Sequence, residues 1–358
     1  METTLKNALG KRALGKSSIM IHPIGVGCWA FGGGNYWGNQ SQEDAEYIVA
    51  QALDRGLNFF DTAAMYNDGR SEESLGKALK GHRSRAIVTT KVSPALCSKD
   101  ALIKSCEESM GRLQTDYIDL YMIHWPINPI SVRHFTKDTA IINNPPTVAE
   151  AFATLDYLKK QGKIRAIGIS NFGPSQLEEA LATGVQIDVN EITYNLFSRA
   201  IERDIIPACI KHNVSIIASM ALQQGLLAGI YKTAGDVPPP QAHSRHYHWE
   251  RGGTYSRHTS MGAEVEMFAA LDEIIGISKE LSAEVSQLAI AWILAKKGLA
   301  GVLVGSRNLE ELDSNIKASG LILPPYIIAR LDEITMPVLT KLGYSPDYYE
   351  DEEDSRIC

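Results

Sequence analysis

The sequence lacks any apolar run of the roughly 18–20 residues that a membrane-crossing helix requires. Its opening stretch, METTLKNALGKRALGK, carries basic residues but no apolar core of a secretory signal, so a cytoplasmic protein that engages no membrane is expected. Cysteine is sparse: Cys28, Cys97, Cys106, Cys209 and Cys358 are scattered, odd in number and without C-x-x-C spacing, which argues against a disulfide framework. There is no excess of positive charge, since 35 Lys and Arg face 42 Asp and Glu for a net charge of −7, and this disfavours a broad nucleic-acid surface. Also missing is G-x-G-x-x-G between a strand and a helix. The glycines of GVGCWAFGGG do not fit that spacing, and Gly32, Gly33 and Gly34 suit a flexible loop instead.

What is present is an average soluble composition, 44% hydrophobic and 22% charged, in a chain of 358 residues that one α/β barrel can occupy. Apolar strand-like runs alternate about eight times with segments of helical period, the pattern of parallel βα units. Strands are read near 23–28, 58–61, 86–91, 117–123, 164–169, 187–192, 214–218 and 301–304. The helices between them fall near 42–55, 71–80, 99–113, 147–161, 174–183, 201–212, 282–297 and 308–319. Ser41 and Ser71 before acidic first turns, and Pro174 after Gly173, mark helix starts. Residues 11–22 suit a hairpin turning at Gly15-Lys16 that plugs one end of a closed barrel, and helices near 264–281 and 325–334 look additional. The expectation is therefore one α/β unit over 1–358, a (β/α)8 TIM barrel with a hairpin plug and two extra helices. The acidic stretch at 347–358 reads as a solvated, mobile end.

In such a barrel the C-terminal ends of the strands converge on one mouth, whatever their separation in sequence. Long loops at 125–146 and 228–262 leave the fourth and seventh strands on that side, and loops of this length in a compact fold are usually functional. Polar residues that end apolar strands become informative: Asp61 ends the second, Lys91 the third and His124 the fourth, with Tyr66 five residues beyond Asp61. A phenol beside an ammonium has its titration drawn downward, and a carboxylate keeps that ammonium charged. A histidine can donate a hydrogen bond to an oxygen on which charge develops. These are the parts of carbonyl reduction with hydride from a nicotinamide.

The same residues carry a resemblance. NFFDTAAMYNDGRSEESLGKAL, VTTKV, YIDLYMIHWP, KIRAIGISNF and VGSRNLEELDSNI occur in the order found in the aldo-keto reductase superfamily, and the match runs from about residue 19 to 336. The resemblance implies a (β/α)8 barrel that holds NADP in extended form, with Tyr66 as general acid, Lys91 and Asp61 tuning it, and His124 orienting the carbonyl. It places Gly27, Cys28 and Trp29 beside the cofactor, Ser170 and Asn171 on the nicotinamide carboxamide, and Leu222, Gln224 and Leu227 around the pyrophosphate. Gly305, Ser306, Arg307, Glu311 and Asn315 fall around the adenosine. A serine and an arginine at a helix start suit a 2′-phosphate, which favours NADP over NAD.

Three positions depart from the family pattern: Glu191 and Glu311 stand where glutamine is common, and Ser219 stands where an aromatic ring commonly stacks on the nicotinamide. Such departures leave open a redox-neutral epimerase or lyase with tightly held NADP, or a regulatory protein like the potassium-channel β subunits of this superfamily.

His243, His246, His248 and His258 lie in a Pro- and Arg-rich loop without acidic or thiol companions, so no metal is expected and the segment 241–258 reads as a lid. Arg245, Arg251 and Arg257 in it are candidate phosphate or substrate contacts. Trp29, Trp37 and Trp125 suit pocket walls, and Arg133, His134 and Lys137 give the mouth a positive element that would suit an anionic or hydroxylated substrate. Oligomeric state is not legible.

Overall fold

The computed structural model describes residues 10–34 and 36–358, so the first nine residues of the opening stretch METTLKNALGKRALGK lie outside the described residues. Two short strands, β1 (Arg12–Ala13) and β2 (Met20–Ile21), pair antiparallel as the expected hairpin. Eight more strands follow: β3 (Ile24–Gly27), β4 (Phe59–Asp61), β5 (Ile87–Val92), β6 (Ile118–Ile123), β7 (Ile164–Ser170), β8 (Val189–Thr193), β9 (Ser215–Ser219) and β10 (Leu299–Gly305). All pair in parallel, and β10 closes onto β3 to complete the barrel. Almost every strand residue is buried, as parallel strands covered on both faces require.

The apolar interior divides in two. Inside the barrel, Phe59, Leu120, Met122, Val189, Ile217 and Leu303 meet Leu14, Ile19 and Ile21 of the hairpin, so the plug completes the inner core. Its turn depends on Gly15, which has φ +54° and lies so close to the Asp188 backbone that a Cβ would collide there. Arg12 anchors the hairpin through the Leu294 and Leu299 carbonyls. The larger cluster lies between the outer faces of the strands and the surrounding helices.

Several helix starts follow sequence chemistry. Ser41, Thr147 and Asn308 accept the capping N–H of Asp44, Glu150 and Glu311, and Pro174 opens its helix. Ser71 does not cap: that helix starts at Arg70, and the buried Ser71 hydroxyl instead donates to the Cys28 carbonyl and meets Thr62. The last long helix runs on through Pro337 to Leu342, beyond the expected end near 334. The loop at 125–146 contains two short helices, Pro129–Val132 and Thr139–Asn143.

The acidic end overturns the expectation of a solvated tail. Asp347, Tyr348, Glu350, Arg356 and Ile357 are all buried. The Arg356 guanidinium grips both oxygens of Asp347 at 2.6 and 2.8 Å. Arg245 donates to the carbonyls of Leu342, Ser345 and Asp347, and the Gln176 amide donates to the Arg356 carbonyl. Residues 344–358 thus form a strap tied to loops at the C-terminal side of the barrel. The net acidity of YYEDEEDSR hid this, because Glu350 and Asp354 meet the distant Arg257 and Arg133, Asp351 accepts from Thr259, and Tyr348 is buried.

Candidate active site

The ends of β4, β5 and β8 bring one cation against two carboxyls. Lys91 is fully enclosed, and its ammonium donates to both oxygens of Asp61 at 2.6 and 2.7 Å and to the Thr62 carbonyl at 3.1 Å. Glu191 Oε1 lies 3.3 Å away on the other side. The same ammonium reaches the Tyr66 hydroxyl at 3.4 Å, delivered by the short turn Tyr66–Gly69 after β4. The neighbouring carboxylates keep the lysine charged despite burial, so its pKa lies above the ordinary value.

Tyr66 does not titrate as the sequence argument anticipated. Burial raises its pKa above that of a free phenol; Lys91 pulls it down, but not by enough. The group therefore keeps its proton and is neutral at physiological pH. His124, at the end of β6, meets the Tyr66 ring edge-on at 5.7 Å and has Nδ1 buried without a partner. Burial, Lys91 and Arg356 all depress its pKa, so the ring is neutral and has one N–H to donate.

Aromatic rings extend outward from this centre. Trp29 stacks on Tyr66 at 5.4 Å and on Tyr36 at 4.9 Å, with Trp37 edge-on. His243 stacks on Tyr349 of the strap at 4.9 Å, and Arg356 lies 3.5 Å over the Trp125 ring.

A cavity of about 540 Å³ runs from Trp29, Asp61 and Tyr66 past Glu191, Ser219 and Gln224 to Ser306, Arg307, Glu311 and Asn315. Its lining carries buried polar atoms with no partner: Glu191 Oε2 and both amide atoms of Gln40 and Gln224. Unpaired groups of this kind are costly in a folded core and point to a site built for a ligand. Beyond β9, Met220, Gln223 and Gln224 hold positive φ, followed by Gly225 at +98°. Side-chain-bearing residues rarely adopt this conformation, and successive turns of it present backbone N–H groups to an anion.

The aldo/keto reductase family model matches residues 23–336. The chain belongs to this family. An NADH-specific methylglyoxal reductase of Escherichia coli is 30% identical over 328 residues, covering 86% of this chain and 93% of that protein. Among solved structures, a thermostable aldo-keto reductase, Tm1743, in complex with the inhibitor epalrestat superposes with a TM-score of 0.70 at 27% identity, over 90% of this chain and 99% of that one. An aldo/keto reductase from Klebsiella pneumoniae in complex with NADP and acetate shares the fold with a TM-score of 0.68 at 24% identity, over 96% and 98% of the two chains.

For this aldo/keto reductase, the residues expected around a nicotinamide dinucleotide fit it unevenly. Gly27, Trp29, Glu191, Ser219, Leu222, Gln224, Gly305, Ser306, Arg307, Glu311 and Asn315 line the cavity, which together with the backbone turn at 222–225 suits an extended dinucleotide. Cys28 and Leu227 belong to the apolar core and do not line the cavity. Ser170 and Asn171 are not among the residues that line the cavity; the Asn171 amide donates to the His124 carbonyl and to Ser170. Asn315 donates to Ser306, while Arg307 is tied to Glu311 through its backbone N–H at 2.8 Å and its guanidinium at 3.6 Å.

The arginines proposed for the mouth are engaged elsewhere, whereas Lys137 is exposed. Arg133 pairs with Asp354 at 2.8 Å, Arg251 with Glu264, and Arg257 with Glu350, while Arg245 is buried against strap carbonyls. Trp125 packs under Arg356, so it supports the wall rather than lining the cavity. Among the described residues no group of three or more His, Cys, Asp or Glu is arranged to hold a metal. Sequence reasoning missed Tyr36, Gln40, Asp347, Tyr349 and Arg356. The alternation of tyrosine with charge in the last residues was the available signal.

Proposed function

We propose that this aldo/keto reductase reduces a small, uncharged carbonyl compound to the alcohol, with Tyr66 as proton donor. The observation that carries the reading is the enclosed Lys91 ammonium, held by Asp61 and 3.4 Å from the Tyr66 hydroxyl. A nicotinamide dinucleotide, when bound, supplies the hydride. His124, neutral and with a ring N–H available, holds the carbonyl oxygen beside Tyr66. At physiological pH Tyr66 carries its proton, so it enters the reduction as the donor. As the oxygen gains charge, the phenol releases its proton to it, and the adjacent ammonium stabilises the phenolate left behind.

Ser306 and Arg307 at the adenosine end support NADP(H), and Glu311 beside Arg307 weakens the preference over NAD(H). Because Arg133, Arg251 and Arg257 are already ion-paired, the anionic substrate considered from sequence gives way to a neutral one. The unpaired amides of Gln40 and Gln224 suit hydroxyl or carbonyl groups on it. The test is consumption of reduced nucleotide with a panel of neutral aldehydes and ketones. Tyr66→Phe should lower turnover roughly 10²- to 10⁴-fold while nucleotide still quenches tryptophan fluorescence. Full activity in that variant would refute the assignment.

A further inference from the structure

We propose that Glu191 is a positioning residue that shares a single proton with Asp61, so that the two carboxyls present one negative charge to Lys91. The geometry requires an account of this kind, because two buried carboxyls converge on one ammonium. Asp61 is 3% exposed and makes both short contacts; Glu191, also 3% exposed, makes one long contact and leaves Oε2 unpartnered toward the cavity. Two ionised carboxylates and one ammonium would leave an uncompensated buried charge, whereas one shared proton makes the group neutral. The carboxyls lie within hydrogen-bonding reach of each other, and burial pushes both upward, Glu191 much farther.

The other groups facing Glu191 do not offer a second counter-charge. Tyr66 bears its proton, the Cys28 thiol is pushed up by burial, and His124 is neutral. The neighbouring strands β7 and β9 set Ser170 and Ile217 opposite it in register, neither of them charged. With the shared proton lying between the two carboxyls, Glu191 turns Oε2 to the cavity as a hydrogen-bond acceptor, where a glutamine amide would offer both a donor and an acceptor. Losing the proton would add a negative charge beside Tyr66 and weaken it as an acid. Glu191 thereby acts through Tyr66 and Lys91 without itself exchanging a proton with substrate.

The experiment compares the full chain with Glu191→Gln in two ways. A carboxyl whose folded pKa is raised binds more protons in the native state. Its stabilising effect is then complete at acid pH and declines as pH rises above the ordinary carboxyl range. The wild-type melting temperature should fall relative to the variant over that rise; parallel melting curves would overturn the shared proton. This arm needs no turnover, so it stands apart from the proposed reductase reading. The second arm rests on that reading: the alkaline limb of the kcat profile should move to higher pH by at least one unit in Glu191→Gln, a tenfold change in the governing equilibrium. An unmoved limb alongside a diverging melting curve would overturn the positioning role.

Discussion

Replacing Asp347 by Asn tests whether the strap is a separately detachable cover for the mouth. In the native strap the Asp347 carboxylate accepts from the Arg356 guanidinium twice and from the backbone N–H groups of Arg356, Tyr349 and Glu350. These contacts hold its pKa below the usual carboxylate range against the upward pull of burial. The substitution keeps the shape and removes the charge, leaving a buried guanidinium unpaired. Breaking a buried pair in this way costs about 3–5 kcal/mol. The lower end applies here, since Arg356 retains its stack on Trp125. About 3 kcal/mol corresponds to roughly 150-fold in the equilibrium between a closed and a lifted strap. The barrel helices and strands do not depend on that contact, so lifting the strap relieves the charge without global unfolding. Amide hydrogen exchange should therefore quicken by about two orders of magnitude within 347–357 and stay unchanged in β4 to β7. Unchanged protection of the strap would refute the role of the pair. Equal loss across the barrel would refute the strap as a separate unit.

Glu311→Gln should raise the preference for NADPH over NADH about tenfold in kcat/KM, because it removes a carboxylate 3.6 Å from the Arg307 guanidinium at a half-exposed site; an unchanged ratio would show that the 2′ position lies elsewhere. Gly15→Ala should destabilise the fold by about 1–3 kcal/mol, through both the positive φ and the collision with Asp188, and the midpoint in urea would report it. Lys91→Met should abolish most reduction, by about 10²-fold or more, while nucleotide quenching of tryptophan persists; turnover near wild type would remove the ammonium from the proposed chemistry.

The barrel and the central polar residues were legible because both rest on local pattern. Strands buried on two faces read as short apolar runs, so Asp61, Lys91 and His124 stood out as polar residues where apolar ones were due. Helix starts at Ser41, Thr147 and Asn308 were local for the same reason. Ser71 was misread because its hydroxyl serves partners on other elements, the Cys28 carbonyl and Thr62, and no capping rule contains that information. The direction of the Tyr66 shift failed on magnitude: Lys91 does pull the phenol down, but enclosure by the surrounding rings outweighs one ammonium that two carboxyls already hold.

The strap marks a different limit. The Asp347–Arg356 pair lies within the segment, but the contacts that seat the segment on the barrel span a long stretch of chain, as between Gln176 and Arg356 or Arg133 and Asp354. Of the arginines that sequence reasoning offered to an anionic substrate, Arg133 and Arg257 pair with carboxylates of this segment, Arg245 donates to its carbonyls, and Arg251 pairs with Glu264 outside it. The two readings are linked: an acidic tail taken as free leaves Arg133 and Arg257 free as well. Seating the tail engages Arg133 and Arg257, and this is what supports the proposal of an uncharged substrate.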